Sequence, residues 1–125
     1  MKPNYTIAVD FDGTLVENGF PDIENAIPKT ETINHLLNHI DVLSGFYNVK
    51  LILWTCRENI YSINSDEKIE HHNYLTDAIN YCEQNLNLKF DAVNENPFSE
   101  WGQKYPSLVR KIYADEYWDD KAVSV

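Results

Sequence analysis

Ile7-Ala8-Val9-Asp10-Phe11-Asp12-Gly13-Thr14-Leu15 sets an apolar run against two carboxylates spaced i, i+2, with a glycine directly after them. Alternate residues of a strand point to the same side. A strand that continued through Phe11 would aim Asp10 and Asp12 the same way, beyond its carboxyl end. Two acids so placed can divide a task, one attacking or holding a metal while the other moves a proton. Gly13 permits a turn that a side chain would resist. The plainer alternative is a strand-ending turn with solvated acids.

Three further strand candidates follow Tyr5 to Val9. Val49 to Trp54 is nearly continuously apolar, as expected of a strand buried on both faces. Phe90 to Val93 is short, and Tyr113 to Trp118 closes on Asp119-Asp120. Between them, Ile33, Leu36, Leu37, Ile40 and Leu43 recur at helical spacing. Thr30 is read as the N-cap of that helix and Gly45 as its stop. A second helix is expected from Asn73 to Leu86, with an alternative start near Ser65-Asp66. Strands alternating with helices predict a parallel sheet covered by helices. Ligands of such sheets bind beyond the carboxyl ends of the strands. The segments from Glu17 to Pro28 and from Glu58 to His72 read as irregular.

At 125 residues and 43% apolar content, a single domain is expected. No segment approaches the roughly 18 uninterrupted apolar residues of a membrane helix. Met1 to Tyr5 lacks a signal-peptide core, so the chain is expected in the cytoplasm or its equivalent. A net charge of −10 argues against polynucleotide backbones as partners, which call for clustered Lys and Arg. It leaves room for a small phosphorylated molecule whose charge a divalent cation would offset. Cys56 and Cys82 form no spaced motif and read as reduced, mostly buried thiols. Arg57 follows Cys56 directly, so the spacing of a Cys-dependent phosphatase loop is absent.

Asp10-Phe11-Asp12-Gly13-Thr14 resembles motif I, D-x-D-G-T, of the haloacid dehalogenase-like superfamily of Mg-dependent phosphatases and phosphotransferases. The resemblance implies an α/β fold with a Rossmann-like three-layer core and a parallel sheet of about four strands in the order 4-1-2-3. Neither irregular segment is long enough for a cap domain, so a small capless member with an open site is expected. The same resemblance makes Asp10 the nucleophile and Asp12 the acid and base. It puts Thr55, at the end of the second strand, on a phosphoryl oxygen. It draws Mg²⁺ ligands from Asp10, Asp12, Asp119 and Asp120, with Asp115 as a competitor lying before the strand end. Lys111, in Arg110-Lys111-Ile112-Tyr113-Ala114-Asp115, is expected to neutralise the phosphoryl group, with Lys104 as runner-up. Arg57 either grips a substrate phosphate or carboxylate or forms a surface salt bridge with Glu58 or another acid.

Other residues are assigned structural roles. His35 and His39, spaced i, i+4, lie opposite the apolar stripe and read as a solvated face. Asn94-Glu95-Asn96-Pro97 is an Asn-rich turn or an edge of the site. Phe98, Trp101 and Tyr105 read as packing residues. The expected function is Mg²⁺-dependent hydrolysis of a phosphorylated small molecule through an aspartyl-phosphate on Asp10. The alternatives are a non-catalytic module binding Mg²⁺ and phosphate, and a phosphotransferase. A partner subunit covering the open site is compatible with all of these, and the receiver fold is the structural rival. No further strand is expected after Asp119-Asp120.

Overall fold

The structure is a computed structural model that describes residues 2–17, 23–104, 112–119 and 123–124. Its centre is β1 (Asn4–Val9), flanked in parallel by β2 (Asn48–Leu53) and by the strand Glu116–Trp118. Chain order gives α1 (Thr30–Leu43) between β1 and β2. The hairpin β3 (Asn59–Ile63) and β4 (Ile69–Asn73) comes next, then α2 (Tyr74–Asn85), β5 (Ala92–Val93), α3 (Glu100–Lys104), β6 (Glu116–Trp118) and β7 (Val123–Ser124). The main sheet runs β5-β2-β1-β6-β7, with the first four strands parallel and β7 antiparallel on the edge. The order of the parallel strands is the one expected from the sequence, and the fold is α/β and Rossmann-like.

Burial explains the layers. Ile7, Val9, Leu51, Leu53 and Trp118 meet Ile33 and Leu36 of α1 and Ala78 and Cys82 of α2 in one cluster. Ala8 and Ile52 point the other way and pack with Ile112 and Ala114. The steps from β1 to β2 to β5 run in one direction, so right-handed crossovers put α1 and α2 on the same face. Phe98, Ile112 and Ala114, between β5 and β6 in the chain, pack on the opposite face. Winding therefore reverses between β1 and β6, and crevices at such switch points hold ligands.

Several expectations are corrected. Thr30 is the first helical residue and Lys29 occupies the cap, without a side-chain cap bond. The second helix starts at Tyr74, because Ser65-Asp66 lies in the turn joining β3 to β4. In that turn Asn64 Oδ1 accepts from the N–H groups of Asp66 and Lys68, and Glu67 takes a φ of 59°. Glu58 to His72 thus holds a hairpin, and no large cap domain is found among the described residues. A short β7 does follow Asp119-Asp120, since two residues suffice to pair antiparallel with Tyr117 and Trp118. Cys56 is exposed; Cys82 is buried. No described helix is long and apolar enough to cross a membrane.

Candidate active site

Parallel pairing matches Ile7, Ala8 and Val9 of β1 with Glu116, Tyr117 and Trp118 of β6. The Asp10 N–H donates to the Trp118 carbonyl at 2.9 Å, so Asp10 and Asp119 leave the sheet at the same level. On the other side the Trp54 N–H donates to the Val9 carbonyl, bringing Thr55 to this edge. Asp10, Trp54, Thr55 and Cys56 line a cleft of about 100 Å³. A larger cleft of about 380 Å³ runs along α2 beside Glu24 and Tyr81, and none of the expected site residues lines it.

Asp10 and Asp12 are treated differently. β1 ends at Val9, so strand alternation does not carry through Phe11. Asp10 Oδ1 accepts from the Phe11 N–H at 2.8 Å. Asp12 offers both oxygens to Arg57: Nε donates to Oδ2 and Nη2 to Oδ1, each at 2.8 Å. Arg57 is 3% exposed, sits over the Phe11 ring at 4.9 Å, and gives Nη1 to the Tyr74 carbonyl. It is therefore not an open grip for substrate; the salt bridge expected with Glu58 or another acid is made with Asp12, and it is enclosed rather than at the surface. Its planar fork matches a carboxylate bidentately.

The turn that follows is built around Gly13, at a φ of 83°. Gly13 N–H donates to the Val16 carbonyl, and Leu15 N–H to the Phe11 carbonyl. Lys29 Nζ donates to the Gly13 carbonyl at 2.9 Å, placing a cation beside the acidic loop.

Thr55 is fixed from two sides. Asn94 Oδ1 accepts its N–H at 2.8 Å, and its own Oγ1 accepts the Arg57 N–H at 3.1 Å. Asn94 follows β5 at a φ of 54°, a conformation Asn tolerates better than most residues. A hydrogen-bonded sequence thus runs Asn94, Thr55, Arg57, Asp12 across three strand ends. Asp115 does not compete for the site, because its Oδ2 accepts from Thr6 N–H at 2.7 Å and Thr6 Oγ1 at 3.0 Å. Lys111 and Asp120, with Arg110 and Tyr105, lie outside the described residues. Lys104 is the last residue of α3.

Among the described residues no group of three or more His, Cys, Asp or Glu side chains is placed to hold a metal. Mg²⁺ needs less than that, since one or two carboxylates with waters complete its octahedron. Asp10 and Asp119, neighbours across the switch point, are such a pair, and their hard oxygen donors suit that ion.

Lys29 and Glu116 carry no sequence signal of their own. His39, expected on a solvated face, has its Nε2 2.9 Å from Glu116 Oε2. No local signal marks that contact, because the partners are far apart in the chain. Cys82 is inert: burial pushes its thiol up to about 12, Glu83 adds to this, and the Arg57 charge opposes it.

A solved structure described as that of a conserved protein coded by a locus of Bacteroides thetaiotaomicron is similar to this chain. The two are 33% identical, over 94% of this chain and 76% of the other, with a TM-score of 0.55. No family model matches the chain, and no curated protein matches it.

Proposed function

We propose, from the premise that this chain belongs to the family of the conserved Bacteroides thetaiotaomicron protein, that it is a Mg²⁺-dependent phosphomonoester hydrolase of the haloacid dehalogenase-like kind. One observation carries the reading: Asp10 lines a cleft at the switch point of a parallel sheet, level with Asp119 and opposite Thr55.

In this mechanism Asp10 attacks phosphorus, and the bond from phosphorus to the leaving oxygen breaks. The result is an aspartyl-phosphate, which splits one difficult displacement into two. Water then attacks phosphorus, its proton passes to Asp12, and Asp10 is released with inorganic phosphate. Asp12 serves the first half as an acid only when it carries a proton, and a protonated Asp12 gives up one of its two Arg57 bonds. The Thr55 hydroxyl donates to a phosphoryl oxygen while its lone pair holds the Arg57 N–H. Asp10 and Asp119 would hold Mg²⁺, which would supply the positive charge needed for one anion to approach another. The substrate is a phosphorylated small molecule that reaches an uncapped site.

A second reading, a non-catalytic module for Mg²⁺ and phosphate, is favoured by the engagement of both Asp12 oxygens with Arg57. Hydrolysis of p-nitrophenyl phosphate separates the two. The hydrolase reading expects turnover that requires Mg²⁺ and vanishes in Asp10→Asn. Turnover surviving in clean Asp10→Asn protein removes Asp10 as the nucleophile. No turnover in the parent across a broad panel of phosphate esters, with Mg²⁺ binding intact, gives the binding module.

A further inference from the structure

Glu116 is a carboxylate at 2% exposure on the first residue of β6. Burying such a charge costs several kcal/mol unless donors surround it. Three side chains supply them. Tyr5 Oη donates to Oε2 at 2.8 Å and Trp118 Nε1 to Oε1 at 2.6 Å. His39 Nε2 reaches Oε1 at 2.8 Å and Oε2 at 2.9 Å, and donates, since a carboxylate only accepts. The carboxylate thereby joins β1, α1 and β6. Loss of this carboxylate would leave three donors without their acceptor.

What it holds is next to the site. Glu116 and Trp118 share a face of β6, and the His39 and Trp118 rings lie 5.9 Å apart. Trp118 is 7% exposed, and its carbonyl receives the Asp10 N–H. Asp119 follows immediately. Any rotation of the Trp118 backbone changes the separation of the two acids.

We infer that Glu116 is a positioning residue for the Asp10–Asp119 pair, clamping the Trp118 indole and so fixing how the end of β6 lies against the end of β1. This rests on the reading of those two acids as the Mg²⁺ pair. Glu116 touches no reacting atom and acts through the backbone of Trp118. Asp115, another carboxylate on the segment entering β6, holds Thr6 and Tyr113 among the described residues. It is a matched control, because its loss weakens the same strand without loosening Trp118.

Mn²⁺ binding, counted by the electron paramagnetic resonance signal of the free ion, tests this without turnover. Glu116→Gln and Trp118→Phe are each expected to raise the Mn²⁺ Kd about 10-fold, as loss of a group orienting metal ligands does. Asp115→Asn is expected to lower the melting temperature and leave that Kd at the parent value. If Glu116→Gln does not fold, Trp118→Phe, which keeps an aromatic ring and removes the Nε1 donor, carries the comparison alone. Parent-like Kd values in both variants, with binding lost in Asp119→Asn, overturn the inference and leave the hydrolase reading standing. A parent whose Mn²⁺ binding is indifferent to both Asp10→Asn and Asp119→Asn overturns the metal pair and the inference together.

Discussion

Arg57 holds Asp12 by both oxygens, with Nε and Nη2 each at 2.8 Å from their acceptors. The guanidinium is almost wholly enclosed, while the Asp12 side chain keeps 23% exposure. Removing Arg57 takes the partner from both Asp12 oxygens and from the Tyr74 carbonyl and leaves a void over the Phe11 ring, while Asp12 regains solvent only in part. Arg57→Ala is therefore expected to cost about 3 kcal/mol of stability. Arg57→Lys keeps the charge and loses the fork, and is expected to cost about 1.5 kcal/mol. Urea midpoints at constant slope measure both. An Arg57→Ala midpoint equal to the parent's would show that the pair contributes nothing to folding.

Asn94 joins a left-handed backbone to a polar anchor, since its Oδ1 accepts the Thr55 N–H. Asn94→Gly loses the anchor but keeps the backbone easy. Asn94→Ala loses both, so it is expected to be less stable than Asn94→Gly by about 1 kcal/mol. If the hydrolase reading holds, both variants lower kcat, because Thr55 then swings freely. Equal stability of the two variants would remove the backbone argument, and an unchanged kcat would detach Asn94 from Thr55 function.

The parts legible in the sequence were those with local periodicity or a dense motif. β1, β2, α1 and α2 come from apolar runs and helical spacing, and the strand order is what the resemblance carried by Asp10 to Thr14 implies. The hairpin was hidden because β3 and β4 are exposed and lack alternation: Ile60, Tyr61, Ile63 and Ile69 all face solvent on it. Asp12 was placed beside Asp10 by assuming that β1 continued, whereas the turn at Gly13 intervenes. Its pairing with Arg57, and that of Glu116 with His39, join residues 45 and 77 positions apart. Contacts of that span depend on how the sheet and helices assemble, which no window of sequence contains.

Thr14 is 2% exposed, and among the described residues its Oγ1 is buried without a hydrogen-bond partner. A buried hydroxyl that makes no bond costs about 1–3 kcal/mol of desolvation. Thr14→Val replaces it with a methyl of nearly the same shape. The expected result is unchanged to higher stability, by up to about 1 kcal/mol, in thermal or urea unfolding. A loss above that size would mean that Thr14 Oγ1 finds a partner in solution.

Glu116 makes stability depend on pH in a definite direction. Burial alone pushes its carboxyl up, but the hydrogen bonds from His39, Trp118 and Tyr5 outweigh it and hold the group below the usual carboxylate range. The unfolded chain returns it to about 4.3. In the interval between the folded and unfolded values, the unfolded state binds more protons, so stability rises with pH there. The contribution is complete above about pH 4.3 and is lost as pH falls through the folded value. Glu116→Gln lacks this titration, while Asp12, Asp115 and the other acids remain in both proteins. The stability gap between parent and Glu116→Gln is therefore expected to narrow as pH falls below about 4.3. Urea midpoints across that range read it directly, and a gap that stays level into acid would mean that Glu116 is not held charged in the folded protein.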